Sequence, residues 1–247
     1  MTYCVAVKVN EGLVMLADTR TNAGVDYISR YRKSFTWELP GDRVICLMTA
    51  GNLSITQGIL TRIGEAIKRA EAGESVETIL NAPSMFQVTQ IVAGYMREMQ
   101  DRHRVPLMNQ GVGADATVLV SGERAGGRHR VYMVYSAGNF IEATPDTPFL
   151  QAGEHKYGKP ILDRMISPET PLADALKAVF VSMESTVRSN LSVGMPLDLA
   201  VIPAGALRFS LLRRVQEGDA DWSAIAQAWS SALTHGFNGL PQVAAQD

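Results

Sequence analysis

An α+β fold, built as a four-layer αββα sandwich of two antiparallel sheets, is what this sequence predicts, and three observations carry the prediction. The strand-like runs are apolar at nearly every position, the pattern of strands covered on both faces. Strand-like and helix-like segments come in blocks rather than in strict alternation, which argues against a doubly wound parallel sheet. Each helical segment carries one apolar stripe, as an outer layer packed on a sheet requires.

The elements follow in order. Val5, Val7 and Val9 lead into Asn10-Glu11-Gly12, and Leu13 to Leu16 continue, which gives two strands around a Gly-containing turn that begin with the first residues of the chain. Ser34 to Glu38 and Arg43 to Met48 form a second pair across Leu39-Pro40-Gly41-Asp42. Ile55, Ile59, Leu60, Ile63 and Ile67 recur at helical spacing after Ser54, read as the cap, and Val88, Ile91, Val92, Tyr95 and Met99 mark a second helix. Strands resume at Ala116 to Ser121, His129 to Ala137 and Asn139 to Thr144, with shorter pieces near Phe149. Thr170-Pro171 reads as a cap and a first-position proline for a helix carrying Leu172, Leu176, Val179, Phe180, Met183 and Val187. Strands Leu197 to Ile202 and Leu207 to Leu212 flank Pro203-Ala204-Gly205, and Trp222, Ile225, Ala228 and Trp229 mark a last helix over Asp221 to His235. We therefore expect one domain over residues 1–214 and a helical extension and tail over 215–247, packed on the domain or used in assembly.

Composition narrows the function. Lys+Arg of 23 against Asp+Glu of 25 leaves no basic footprint for nucleic acid or an anionic membrane. No secretory signal pattern opens the chain and no apolar run reaches membrane-spanning length, so a cytoplasmic location is expected. Cys4 and Cys46 each lie in an apolar run, as core fillers of a reducing compartment do. His103, His129, His155 and His235 are scattered, and no His or Cys spacing suits a metal, so neither metal nor cofactor is expected. His155 keeps some interest beside Glu154 in a Gly-flanked segment. Gly111-Val112-Gly113-Ala114-Asp115-Ala116 matches a dinucleotide-binding pattern, but a strand-like run follows it where that motif requires a helix, so it reads as a loop.

The chemistry sits at the chain start. Thr2 directly follows the initiator Met, so methionine aminopeptidase can expose it without a propeptide. A Thr hydroxyl needs a base, and an N-terminal Thr has its own α-amine, whose unperturbed pKa of about 7.7–8.0 leaves a useful neutral fraction near neutrality. Asp18, Arg20 and Lys33 stand at strand ends that can return to Thr2. A Lys33 ammonium there would lower the amine pKa by like-charge repulsion, and Asp18 would hold Lys33 charged.

Thr2, Leu16-Ala17-Asp18-Thr19-Arg20, Lys33, Thr49-Ala50-Gly51 and Ser192-Val193-Gly194-Met195 resemble, in order and spacing, the proteasome β-type N-terminal-nucleophile hydrolases, and most of all the Anbu group of bacterial ancestral β-subunits. The resemblance runs from Thr2 to about Leu212, and Val14 to Asp26 (VMLADTRTNAGVD) is its most specific block. It implies the αββα fold and a threonine-type hydrolase that cleaves a peptide, isopeptide or other amide bond through an acyl-Thr2 intermediate. By the same resemblance Asp18 and Lys33 tune Thr2, the Gly51 N–H serves the oxyanion, and Ser189 and Ser192 hydrogen-bond the Thr amine. Thr21, Tyr31 and Thr49 fall near positions that shape the first specificity pocket. The family also implies a homo-oligomer, a ring or open spiral; an unfoldase partner is not specified. Two departures stand out. Ser189 occupies a position where β subunits usually carry Asp, and Gln151-Ala152-Gly153-Glu154 replaces a Ser-Gly pair. Two alternatives follow: a weakly active or inactive scaffold or binding module, and an amidase for small molecules or γ-glutamyl linkages in which Arg20, Arg32 and Glu154 orient a charged substrate.

Overall fold

A computed structural model describes residues 2–22 and 28–243. Met1, Ala23 to Asp26 of the VMLADTRTNAGVD block and the last four residues of the expected extension lie outside the described residues.

One five-stranded antiparallel sheet has the order β10(Phe149–Gly153), β1(Tyr3–Val9), β2(Gly12–Asp18), β11(Leu197–Pro203), β12(Leu211–Val215). A second has the order β5(Ser34–Leu39), β6(Arg43–Gly51), β7(Ala116–Arg124), β8(Arg130–Val134), β9(Phe140–Glu142). The alternation of side chains along each strand assigns the layers. From β1 and β2, Val5, Val7, Val14 and Leu16 pack under α3(Lys159–Met165) and α4(Leu172–Ser189). From β6 and β7, Ile45, Leu47, Val118 and Val120 pack under α1(Leu53–Glu71) and α2(Met85–Asn109). Between the sheets lie Cys4, Ala6, Leu13, Met15, Ala17, Cys46, Met48, Ala50 and Ala200. The four-layer α+β architecture is therefore as expected. Several contacts in the middle layer are Ala or Cys, and small side chains there let two sheets approach closely.

Details differ from the expectation for local reasons. The cap of α1 is Asn52, not Ser54: the Asn52 Oδ1 accepts from the N–H groups of Ser54 (3.0 Å) and Ile55 (3.3 Å), and the Ser54 hydroxyl donates to that same oxygen. Nor does Thr170 cap α4. Its hydroxyl oxygen accepts from the Ser167 N–H at 2.9 Å in a preceding turn, Pro171 takes the cap position, and Glu11 from the β1–β2 turn accepts the Leu172 N–H at 2.8 Å. A cap supplied from 161 residues away is not visible in local sequence. The last strand begins at Leu211 rather than Leu207, because the turn at Pro203 continues: Gly205 donates to the Glu123 carboxylate and Leu207 has φ +51°. The strand expected over His129 to Ala137 stops at Val134, and its successor spans Phe140–Glu142, since Tyr135 to Asn139 form a turn closed by Gly138 N–H on Tyr135 O. The short α3 and the hairpin of β3(Arg20–Asn22) and β4(Ile28–Arg30) carry no apolar periodicity and were not expected.

Beyond β12, α5(Ala220–Asn238) lies on α4, with Trp222 and Ile225 against the outer core and the Trp222 ring 5.9 Å from that of Phe180. Asp219 caps it by accepting the Trp222 N–H.

Candidate active site

Strand ends converge where the two sheets meet. Thr2 precedes β1, Asp18 ends β2, Gly51 ends β6, Gly153 ends β10, and Lys33 sits one residue before β5. Their positions follow from register: Cys4 pairs with Ala17 and Tyr3 with Gly153, so the start of the chain is clamped between the ends of β2 and β10. Thr2, Lys33, Thr49, Ala50, Gly51 and Gly153 line one cavity of about 430 Å³, with Thr21, Leu53 and Thr56 completing its wall.

Two glycines are required there by backbone geometry. Gly51 has φ +97°, and a Cβ on it would lie 2.2 Å from the Asp115 carbonyl oxygen; Gly153 has φ +84°, and a Cβ on it would lie 2.0 Å from the Thr2 carbonyl oxygen. Both conformations suit glycine alone among the common residues.

Asp18 is fully buried and Lys33 is 4% exposed. The Lys33 Nζ donates to Asp18 Oδ1 at 2.7 Å and to the Arg20 carbonyl at 2.5 Å, so two of its three donors are occupied while the residue borders the cavity. Asp18 also accepts from the Tyr3 N–H at 3.0 Å and the Gly194 N–H at 3.3 Å. It accepts three hydrogen bonds and donates none, the pattern of an ionised carboxylate. Burial pushes its carboxyl above the ordinary value, and the Lys33 ammonium and the two N–H groups pull against that rise. A pair so desolvated is strongly interdependent: loss of either charge leaves the other buried alone.

A second cavity, of about 520 Å³, shares Thr49, Leu53 and Thr56 with the first and adds Tyr31, Arg32, Phe35 and Leu60. The three pocket residues named from sequence thus divide: Thr21 on the first cavity, Tyr31 on the second, Thr49 on both. Phe35, Leu53 and Thr56 were missed, although Leu53 and Thr56 follow directly from Gly51 into the first turn of α1.

Ser189 and Ser192 stand apart from both cavities. Ser189 is the exposed last residue of α4, and Ser192 is half-buried with its N–H on the Asn190 side chain at 2.9 Å. Neither side chain bonds to Thr2 among the described residues. Glu154 instead reaches Thr2 through its backbone: its N–H donates to the Thr2 carbonyl at 2.7 Å, while its carboxylate accepts from the Asn190 amide at 3.0 Å. His155 is exposed, with Nδ1 3.3 Å from the Gly153 carbonyl. Arg20 turns toward the 191–194 segment, donating to the Leu191 carbonyl at 2.9 Å. The glycine-rich 111–115 segment is a loop, tied by Asn52 and Gln100 side-chain amides to the carbonyls of Gly113 and Ala114.

Among the described residues no helix is long and apolar enough to cross a membrane. No protein-family model matches the chain, and no curated protein does either. Solved structures do. Anbu from Hyphomicrobium sp. strain MC1 is 40% identical with a TM-score of 0.90, over 98% of this chain and 100% of that one. Anbu (ancestral β-subunit) from Yersinia bercovieri is 36% identical with a TM-score of 0.90, over 99% and 100%. The subunit of the helical assembly of the Anbu complex from Pseudomonas aeruginosa is 44% identical with a TM-score of 0.91, over 98% of both chains. With identity of this order over essentially the whole length, and the same arrangement of two sheets between helical layers, the chain belongs to the Anbu family of proteasome β-subunit-like proteins.

Proposed function

We propose that this chain is a threonine-type N-terminal-nucleophile hydrolase that cleaves a peptide, isopeptide or other amide bond through an acyl-Thr2 intermediate. One observation carries the reading: Thr2 shares a cavity with Gly51 and with the buried Lys33 that is paired to Asp18. Removal of Met1 frees the Thr2 α-amine. In its neutral form the amine takes the hydroxyl proton as Oγ attacks the substrate carbonyl carbon. The Lys33 ammonium keeps the amine from holding its own proton too tightly, by like-charge repulsion. Negative charge grows on the carbonyl oxygen, where the Gly51 N–H donates; a preorganised donor of this kind contributes about 3–4 kcal/mol. Collapse breaks the C–N bond, the amine's proton passes to the leaving nitrogen, and an ester on Thr2 remains. Water, activated by the same α-amine, hydrolyses the ester.

Thr21, Thr49, Leu53 and Thr56 would line the side-chain pocket, and Tyr31, Phe35 and Leu60 extend it with apolar surface. We further propose that the chain works as a homo-oligomer of the open-spiral kind, since the Pseudomonas aeruginosa relative forms a helical assembly, and that it acts in the cytoplasm. Intact mass should give a chain starting at Thr2, and Thr2→Ala should abolish turnover of a peptide library. Retention of Met1 in active protein would contradict the reading.

One observation favours a second reading, a weakly active scaffold: Ser189 is exposed and makes no bond to Thr2 among the described residues. Stoichiometric labelling of Thr2 by a β-lactone or epoxyketone separates the two, because it needs a working nucleophile.

A further inference from the structure

Two residues with buried carboxylates bond to the start of the chain. Asp18 accepts the Tyr3 N–H and is neutralised by Lys33. Glu154, 6% exposed, donates its own N–H to the Thr2 carbonyl, yet its carboxylate contacts only neutral donors: the Asn190 amide at 3.0 Å and the Lys156 backbone N–H at 3.3 Å. A carboxylate withdrawn from water without a cation is costly, by several kcal/mol in general.

The surrounding charges do not supply one. Lys33 is committed to Asp18, and on α4 Arg188 is committed to Glu184 at 2.7 Å. Arg20 is held on the Leu191 carbonyl, and the exposed His155 faces the Gly153 carbonyl. Among the described residues Glu154 forms no ion pair. The loop that carries its partner is fixed at both ends: Asn190 Oδ1 accepts the Ser192 N–H at 2.9 Å, and the Gly194 N–H reaches Asp18. The positive φ of Gly153 turns the chain just before Glu154, so the carboxylate is aimed at this loop rather than along the strand.

Resting on the reading of Thr2 as the exposed N-terminus, we propose that Glu154, held by Asn190, is a positioning residue whose carboxylate is the counter-ion of the Thr2 α-ammonium. Removal of Met1 creates a cation on the residue whose carbonyl the Glu154 N–H already holds, while the Glu154 carboxylate has no cation among the described residues. Glu154 then anchors the amine opposite Lys33, the two acting with opposite sign: Lys33 favours the neutral base and Glu154 the charged form. A carboxylate held from the β10 side takes the part that the exposed hydroxyl of Ser189 does not.

The test measures the amine itself. Protein starting at Thr2, verified by intact mass, is acetylated competitively with acetic anhydride across pH, and the α-amine pKa is read by mass spectrometry in wild type, Glu154→Gln, Glu154→Asp and Asn190→Ala. Loss of a nearby opposite charge lowers an amine pKa by about one unit. Glu154→Gln should therefore shift the amine down by about that amount, Asn190→Ala should shift it in the same direction by less, and Glu154→Asp should restore part of the difference. An amine pKa unchanged in folded Glu154→Gln overturns the proposal; if that variant fails to fold, an unchanged value in Asn190→Ala does so. β-Lactone labelling, run in parallel, tells the two readings apart. A shifted amine without labelling upholds Glu154 and overturns the nucleophile. Labelling with an unshifted amine does the reverse. Met1 retained on the wild-type chain overturns both.

Discussion

On one side of Thr2, Asp18 and Lys33 are closed off from water and joined at 2.7 Å, with β-strand ends holding both. On the other, Ser189 is exposed at the end of a helix and Ser192 sits half-buried in a loop. Both sides were read from the same kind of resemblance, yet only one borders the cavity. A strand end inherits its place from a ladder of backbone hydrogen bonds, whereas a residue beyond a helix end depends on whatever local bonds fix the loop. Here those bonds run through Asn190, which turns the 190–194 segment toward Glu154 at one end and Asp18 at the other.

The buried side is most vulnerable at Asp18. Asp18→Asn leaves Lys33 buried without its counter-charge, a change that costs about 3–5 kcal/mol in comparable pairs. The urea midpoint should fall accordingly, and Thr2 labelling should slow at least about tenfold, one pKa unit's worth of mistuning. An unaltered midpoint would mean that the pair is not closed off. Gly153→Ala comes next. Its new methyl group would meet the Thr2 carbonyl oxygen at 2.0 Å from a backbone at φ +84°, so we expect a loss of about 1–3 kcal/mol in denaturant unfolding together with a displaced Thr2.

The floor of the buried side can be probed without mutation. Cys4 bonds to the Thr49 carbonyl, and Cys46 lies beside Ser34; both thiols are wholly buried. Burial pushes the Cys46 thiol up to about 11 and raises that of Cys4 as well. A raised thiol pKa means less of the reactive thiolate at pH 8. A colourimetric disulfide reagent should titrate neither cysteine in native protein and both in guanidinium. The smallest effect belongs to Ser189→Ala, which should leave stability within about 0.5 kcal/mol and the labelling rate close to wild type. A large loss of labelling in that variant would restore Ser189 to the site and erase the contrast between the two sides.

How much of this was legible in the sequence follows the same divide. The layers, the strand pairs around Glu11 and Pro40 and the two long helices were readable because an apolar face repeats along each of them. The places of Lys33, Gly51 and Thr49 on the cavity, and the pairing of Lys33 with Asp18, were legible because each residue sits at or near a strand end; the roles proposed for them rest on the resemblance alone. Glu154 was only a surface-charge candidate for a substrate, since nothing local says that its carboxylate folds back onto Asn190, 36 residues away. The cap of α4 by Glu11 and the late start of β12 escaped for the same reason: both depend on partners far along the chain. The short hairpin of β3 and β4 carries Arg, Thr and Ser, which show no periodicity to read.

The most direct test of Thr2 as the nucleophile is the mass-spectrometric location of a covalent β-lactone adduct on protein whose intact mass has been measured. We expect a chain that begins at Thr2, with one adduct per chain, carried on the Thr2 hydroxyl and absent from Thr2→Ala. An adduct elsewhere, or none on a chain whose N-terminus is free at Thr2, would contradict it.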